Sequence, residues 1–193
     1  VGILGGTFNP PHLGHLICAQ EAHVQLKLDR VILMPAGRPP HKPALEDEPG
    51  SGHRLELCRR AVGGDARFDV CDLEVLREGP SYTVDTLSEL TSLMPDSELF
   101  LIVGGDVAAG LPTWHEPERV LALATLAVAK RRGTTRASID QALSGLQGGE
   151  RAEFFRMPGI GISSTEIRQR VQLQQPIKYL VPESVASYID EQR

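Results

Sequence analysis

VGILGGTFNPPHLGH, residues 1–15, opens the chain with a short apolar run followed by a double glycine, a double proline and two histidines. An apolar run that ends in glycines and leads into a helix reads as strand, loop, helix. Gly5 and Gly6 let the backbone turn sharply and come close to a ligand, and the first turn of the helix adds free N–H groups and the positive end of its dipole. That combination favours phosphate. His12-Leu13-Gly14-His15 sets two imidazoles at the mouth of the helix with Gly14 leaving room between them, so that both can donate hydrogen bonds to phosphate oxygens. His12 and His15 are therefore the leading candidate functional residues. A zinc site made of His12, His15 and Cys18 is a weaker reading. Positions three apart rotate round the helix axis, His12 precedes the helix, and no fourth ligand has an evident spacing, so no protein-bound metal is expected.

Two familiar phosphate loops do not fit. A P-loop needs G-x-x-x-x-G-K-[ST], and no such lysine follows these glycines. A dinucleotide fingerprint needs G-x-G-x-x-G and an acid near the end of the second strand, where this chain has Met34-Pro35.

Beyond the opening, apolar runs bounded by turn residues recur at Val1–Leu4, Val31–Met34, Phe68–Val70, Leu99–Val103 and Thr125–Ala129. Helices are predicted between and after them at Leu16–Leu26, His53–Val62, Val84–Leu93, Pro117–Leu123, Ile139–Leu146, Thr165–Gln172 and Glu183–Glu191. The alternation predicts an α/β fold, Rossmann-like, with a mainly parallel sheet flanked by helices. Two stretches read as loops: Pro35–Gly52, which holds five prolines, and Gly145–Glu150. In an open parallel sheet, ligands bind outside the carboxyl ends of the strands, so the loop after the second strand and Gly5–His15 are expected on the binding side.

The 193 residues and 41% hydrophobic content suit one domain spanning residues 1–193. A net charge of −5 argues against a long nucleic-acid surface, which draws its affinity from lysines and arginines on successive phosphates. The three cysteines show no C-x-x-C spacing, so reduced thiols are expected. Val120–Ala129 is too short to cross a bilayer, and the start shows no basic segment followed by an apolar signal core, so a cytoplasmic location without membrane attachment is expected.

Gly5 to His15 resembles the signature of the H-x-G-H nucleotidyltransferase superfamily, and its double glycine and following proline point to the nicotinate mononucleotide adenylyltransferases. That signature often carries aspartate where this chain has Asn9. Gly161-Ile162-Ser163-Ser164-Thr165-Glu166-Ile167-Arg168 is similar to the family's second signature, placed by the resemblance at a helix start facing the histidine loop. Taken alone it is an S-x-x-E capping box from Ser163 to Glu166, which any helix may use. A nucleophile elbow is ruled out because Ser164-Thr165 stands where glycine is required. Arg168 is the residue there whose forked donors fit phosphate best.

Shorter stretches carry the resemblance further. Pro39-Pro40-His41-Lys42 resembles the loop near the mononucleotide phosphate, and Gly79 to Thr86 resembles a P-S-Y-T segment whose plain reading is a capped helix start. Gly104-Gly105-Asp106 and Trp114 match positions that contact ribose hydroxyls and stack on the pyridine ring. The similarity runs on through Val128 to Gly133, where Arg131-Arg132-Gly133 replaces the usual Arg-Pro-Gly, to Lys178-Tyr179-Leu180-Val181-Pro182. Residues 134–151 match nothing in it.

What the resemblance implies is adenylyl transfer from ATP to nicotinate mononucleotide, giving deamido-NAD and pyrophosphate, with Mg²⁺ travelling on ATP. His12, His15 and Arg168 would act on the reacting phosphates. Gly5, Gly6, Thr7, Phe8, Gly104, Asp106, Arg131, Ile162, Ser163 and Ser164 would hold ATP. Asn9, Lys42, Tyr82, Thr83 and Trp114 would hold the mononucleotide. Two alternatives stay open: a phosphopantetheine adenylyltransferase, which has no need of the Trp114 loop, and a nucleotide-sensing module without turnover, suggested by Asn9 and Arg131-Arg132. The oligomeric state is not readable from the sequence.

Overall fold

The computed structural model describes residues 1–39, 49–130 and 135–192. Among them, strands β1 (Gly2–Gly6), β2 (Val31–Pro35), β3 (Phe68–Val70), β4 (Phe100–Gly104), β5 (Thr125–Lys130) and β6 (Glu153–Arg156) form one sheet in the order β3-β2-β1-β4-β5-β6. Every pairing is parallel. The register sets Leu4 beside Leu33 on one side and beside Ile102 on the other.

Successive strand residues serve opposite faces. Ile3, Ile32, Leu101, Val103, Leu126 and Val128 pack into one core, which takes Val84, Leu87 and Leu90 from α4 (Thr83–Leu93). Leu4, Leu33, Ile102, Ala127 and Ala129 pack into the other, against Cys18, Ala19 and Ala22 of α1 (Leu13–Gln25) and Cys58 and Val62 of α2 (Ser51–Val62). The strands are covered on both sides, which is why they read as continuous apolar runs rather than alternating ones. A third cluster, with Leu57, Ile167, Ile177, Val181 and Val185, docks α8 (Ser164–Gln172) and α9 (Glu183–Glu191) onto α2.

Chain order reverses at β1. The chain leaves β1 for β2 and β3 on one side and later fills β4, β5 and β6 on the other, so the carboxyl ends of β1 and β4 open a crevice at the switch point. Gly5-Gly6 and Gly104-Gly105 both lie there.

Several expectations need correction. α1 begins at Leu13 rather than Leu16, because His12, extended at φ −141° and ψ 171°, is its N-cap. α7 spans Arg136–Leu143, shifted toward the N-terminus and capped by the Thr135 side chain, which accepts from the Ser138 N–H. Strand β6 and the short helices α3 (Leu73–Leu76) and α5 (Gly105–Ala109) were not expected. The S-x-x-E capping box is only half formed. Ser163 accepts from the Glu166 N–H at 3.1 Å, but the Glu166 carboxylate pairs with Arg170 instead.

Gly37, in the loop after β2, has no room for a side chain: a Cβ there would stand 2.0 Å from the Glu74 carbonyl oxygen. Backbone cannot swing aside as a flexible side chain can. Gly37→Ala is expected to lower the unfolding free energy by about 2–3 kcal/mol, seen as a lower midpoint in urea titration with an unchanged slope.

Candidate active site

The crevice is a cavity of about 390 Å³. Gly5, Gly6, Thr7 and His15 line it from the first loop and α1, Gly104, Gly105 and Asp106 from the end of β4, and Thr83 and Trp114 from the far wall. Residues assigned to ATP and residues assigned to the mononucleotide thus face one space.

The histidine pair is built by helix capping. His15, at the third position of α1, accepts the His12 main-chain N–H through Nδ1 at 3.2 Å, while the His12 side chain faces the N–H of His15. With Nδ1 acting as acceptor, the neutral ring of His15 carries its proton on Nε2. His12 is buried and stacks on His15, ring centroids 3.8 Å apart, and Phe8 meets His15 edge-on at 5.0 Å. The first-turn donors are fewer than the sequence suggested, because the Leu13 N–H goes to the Leu180 carbonyl (3.0 Å) and the His15 N–H to the His12 carbonyl (2.9 Å). Phe8 is 2% exposed, its ring packed beneath Gly6 and against His15, so its side chain does not line the cavity.

The second signature meets the first through the stretch Asn9-Pro10. Ser164 Oγ donates to the Pro10 carbonyl and Arg168 Nη1 to the Asn9 carbonyl, both at 2.9 Å, which sets the N-terminus of α8 against the histidine loop. Ile162 and Ser163 lie just before that helix, and Gly14 is close enough that a Cβ on it would be 4.0 Å from the Ile162 carbonyl oxygen. Asn9 is buried, and its Nδ2 has no hydrogen-bond partner among the described residues. A neutral amide is less costly in that position than the aspartate usual in the signature. Asn9 and Arg168 line a second cavity, between α2, α8 and α9, rather than the crevice.

On the wall opposite the glycine loop, Thr83 is the first residue of α4 and Tyr82 its N-cap. Tyr82 packs on His115 with ring centroids 4.5 Å apart, which ties the P-S-Y-T turn to the Trp114 loop. Lys42 and Arg131 lie outside the described residues. Asn9, His12, Tyr82, Ile162, Ser163, Ser164 and Arg168 adjoin the crevice but do not line its cavity.

Two polar residues were missed by the sequence reading. Ser81 Oγ accepts the Gly37 and Arg38 N–H groups, each at 3.1 Å, and so pins the loop after β2 to the P-S-Y-T turn. Glu74 lines the cavity and accepts from Thr86 Oγ1 at 2.8 Å, and Arg77 donates to the same hydroxyl. Burial pushes the Glu74 carboxyl above its usual range, opposed by the Thr86 hydrogen bond and the Arg77 charge. An E-x-x-R spacing before P-S-Y-T was the available signal. Alone, it is indistinguishable from a solvated helix face.

Residues 3–170 match the cytidylyltransferase-like family. A protein of Desulfitobacterium hafniense named a probable nicotinate-nucleotide adenylyltransferase is 42% identical over 197 residues, covering 99% of this chain and 93% of its own length. One of Oceanobacillus iheyensis, with the same name, is 40% identical over 192 residues, covering 99% and 94%. Among solved structures, the Plasmodium falciparum nicotinic acid mononucleotide adenylyltransferase complexed with NaAD superposes with a TM-score of 0.77 at 17% identity, covering 99% of this chain and 94% of that one. At that identity the superposition speaks for the fold, and the bacterial relatives speak for the family. The chain belongs to the cytidylyltransferase-like family and, within it, to the nicotinate-nucleotide adenylyltransferases.

Proposed function

We propose that the crevice transfers the adenylyl group of ATP to nicotinate mononucleotide. A phosphate oxygen of the mononucleotide attacks the α-phosphorus of ATP, the bond to the β-phosphate oxygen breaks, and pyrophosphate leaves as deamido-NAD forms. The nucleophile is a phosphate already ionised near neutral pH, so neither a covalent enzyme intermediate nor a dedicated base is required. The observation that carries this reading is the opposition of His15 and the glycine loop to Thr83 and Trp114 across one cavity.

Each residue then has a task. His15 donates from Nε2 to the phosphate oxygens on which charge builds, and Arg168, oriented by its bond to the Asn9 carbonyl, holds the triphosphate. Gly5, Gly6, Thr7, Ser163 and Ser164 shape the phosphate cradle, and Asp106 meets the ribose. Thr83 and Trp114 take the pyridine ring. Among the described residues no group of His, Cys, Asp and Glu is arranged to hold a metal ion, so a hard cation here would take its oxygens from ATP and water. Mg²⁺ carried on ATP would supply neutralisation of the triphosphate charge.

A reducing, cytoplasmic setting suits Cys18, Cys58 and Cys71, which form no disulfide, and of which Cys58 has its thiol pushed up to about 12 by burial. No helix among the described residues is long and apolar enough to cross a membrane.

The test is one assay. Purified protein with ATP, nicotinate mononucleotide and Mg²⁺ is expected to release pyrophosphate and deamido-NAD in equal amounts, and EDTA to stop both. Turnover with phosphopantetheine instead, or nucleotide binding without pyrophosphate, would replace this reading with one of its alternatives.

A further inference from the structure

Arg54 is 4% exposed and stands at the end of the first turn of α2. A cation near a helix N-terminus opposes the dipole, and a buried cation is costly unless it is hydrogen-bonded. Helix stability and apolar packing therefore do not account for a guanidinium in this position. Its acceptors do. Nη1 donates to the Thr7 carbonyl at 2.9 Å and also to the Ala36 carbonyl, and Nη2 donates to the Gly37 carbonyl at 3.0 Å.

Thr7 belongs to the loop after β1, which lines the cavity beside Gly5, Gly6 and His15. Ala36 and Gly37 belong to the loop after β2. That second loop continues the connection toward the pyridine wall, because the N–H groups of Gly37 and Arg38 donate to Ser81 Oγ, and the Ser81 N–H returns a bond to the Arg38 carbonyl at 2.9 Å. Ser81 stands two residues before Thr83. One planar fork of donors thus joins the loop assigned to ATP to the loop assigned to the mononucleotide, entirely through main-chain oxygens.

We propose that Arg54 is a positioning residue for adenylyl transfer, fixing the separation of the two substrate loops so that the mononucleotide phosphate lies in line with the α-phosphorus. The inference rests on the proposed reaction. The first loop lines the cavity at Gly5, Gly6 and Thr7, and the second lines it at Ala36 and is tied through Ser81 to the turn that carries Thr83, so loosening the link between them should disturb the approach of the reactants more than the hold on either. Rate is steeply sensitive to that approach, since near-attack geometry contributes to the barrier and not to binding. Lysine retains the charge but offers one ammonium in place of the fork, and so cannot span both loops with the same geometry.

The experiment compares wild type, Arg54→Lys and Arg54→Met as full chains, assayed with ATP, nicotinate mononucleotide and Mg²⁺, with far-UV circular dichroism and thermal midpoints measured alongside. For Arg54→Lys, kcat is expected to fall about thirtyfold with the KM of each substrate within about threefold of wild type and an unchanged spectrum. Arg54→Met should fall at least as far. If the methionine variant does not fold, the lysine variant decides. Wild-type kcat in Arg54→Lys, or a loss of kcat/KM that appears wholly in KM, overturns the proposal and leaves Arg54 as a stability element. Absence of deamido-NAD from the wild type sinks the reaction itself, and the positioning role with it.

Discussion

His15→Ala lowers kcat for deamido-NAD formation by on the order of a hundredfold or more, with the fold intact. A preorganised donor to developing negative charge is worth roughly 3 kcal/mol in a site of this kind. His15 meets the requirements for such a donor. Its Nδ1 is occupied by the His12 N–H, which directs the ring proton to Nε2, and its ring is held between His12 at 3.8 Å and Phe8 at 5.0 Å. A ring fixed in this way needs no reorganisation as the α-phosphate gains charge. The structural cost of the alanine is smaller. It removes one reciprocal capping contact at the start of α1, worth about 1 kcal/mol, so the unfolding midpoint should move by only a few degrees. The measurement is kcat against ATP and nicotinate mononucleotide, with a thermal melt on the same preparation. Turnover within a factor of three of wild type would remove His15 from the reacting centre.

The same residues show what a sequence can reveal of such a site. The first loop was legible because its parts are local: glycines, helix cap and both histidines lie within eleven consecutive residues, and the cap that orients His15 uses atoms three residues apart. The sheet was legible from its apolar runs, except for β6. Glu153-Phe154-Phe155-Arg156 has only two apolar residues between charged ones, too short for a pattern, and it becomes a strand because β5 offers an edge with Ala127 to Lys130 in register. Helix α5 follows β4 without a connecting loop, so the glycines of Gly104-Gly105 read as a turn when they mark a helix start. Arg54 was illegible for another reason. Its acceptors lie 47, 18 and 17 residues away and are main-chain oxygens, which leave no trace in residue type. The Ser81 link to Gly37 spans 44 residues in the same way. Local chemistry wrote the phosphate loop into the sequence, while the relation between the two substrate loops arises only when the sheet has formed.

Nicotinate mononucleotide is expected to be preferred over nicotinamide mononucleotide by about a hundredfold in kcat/KM, because the pyridine wall is suited to an anion. Thr83 opens α4, an 11-residue helix, where its hydroxyl and the first-turn N–H groups meet the positive end of the dipole at the cavity wall. An uncharged amide gains little there. Glu74 lines the same cavity and its charge would oppose a second carboxylate, so its environment matters. The Glu74 carboxylate accepts from the Thr86 hydroxyl, which is itself backed by Arg77 at 2.8 Å, so a neighbouring cation offsets part of that charge while the helix terminus attracts a carboxylate. Trp114, by contrast, offers a ring face that does not distinguish acid from amide. Trp114→Ala should accordingly weaken both mononucleotides by similar factors, whereas Thr83→Val should cost the acid about tenfold more than the amide, the amount expected when a charge-assisted hydrogen bond is lost on one side of the comparison. Measuring kcat/KM for both substrates in wild type and the two variants separates affinity from choice. If the wild type favours nicotinamide mononucleotide, the assignment of Thr83 and α4 to a carboxylate is wrong, while adenylyl transfer at His15 stands.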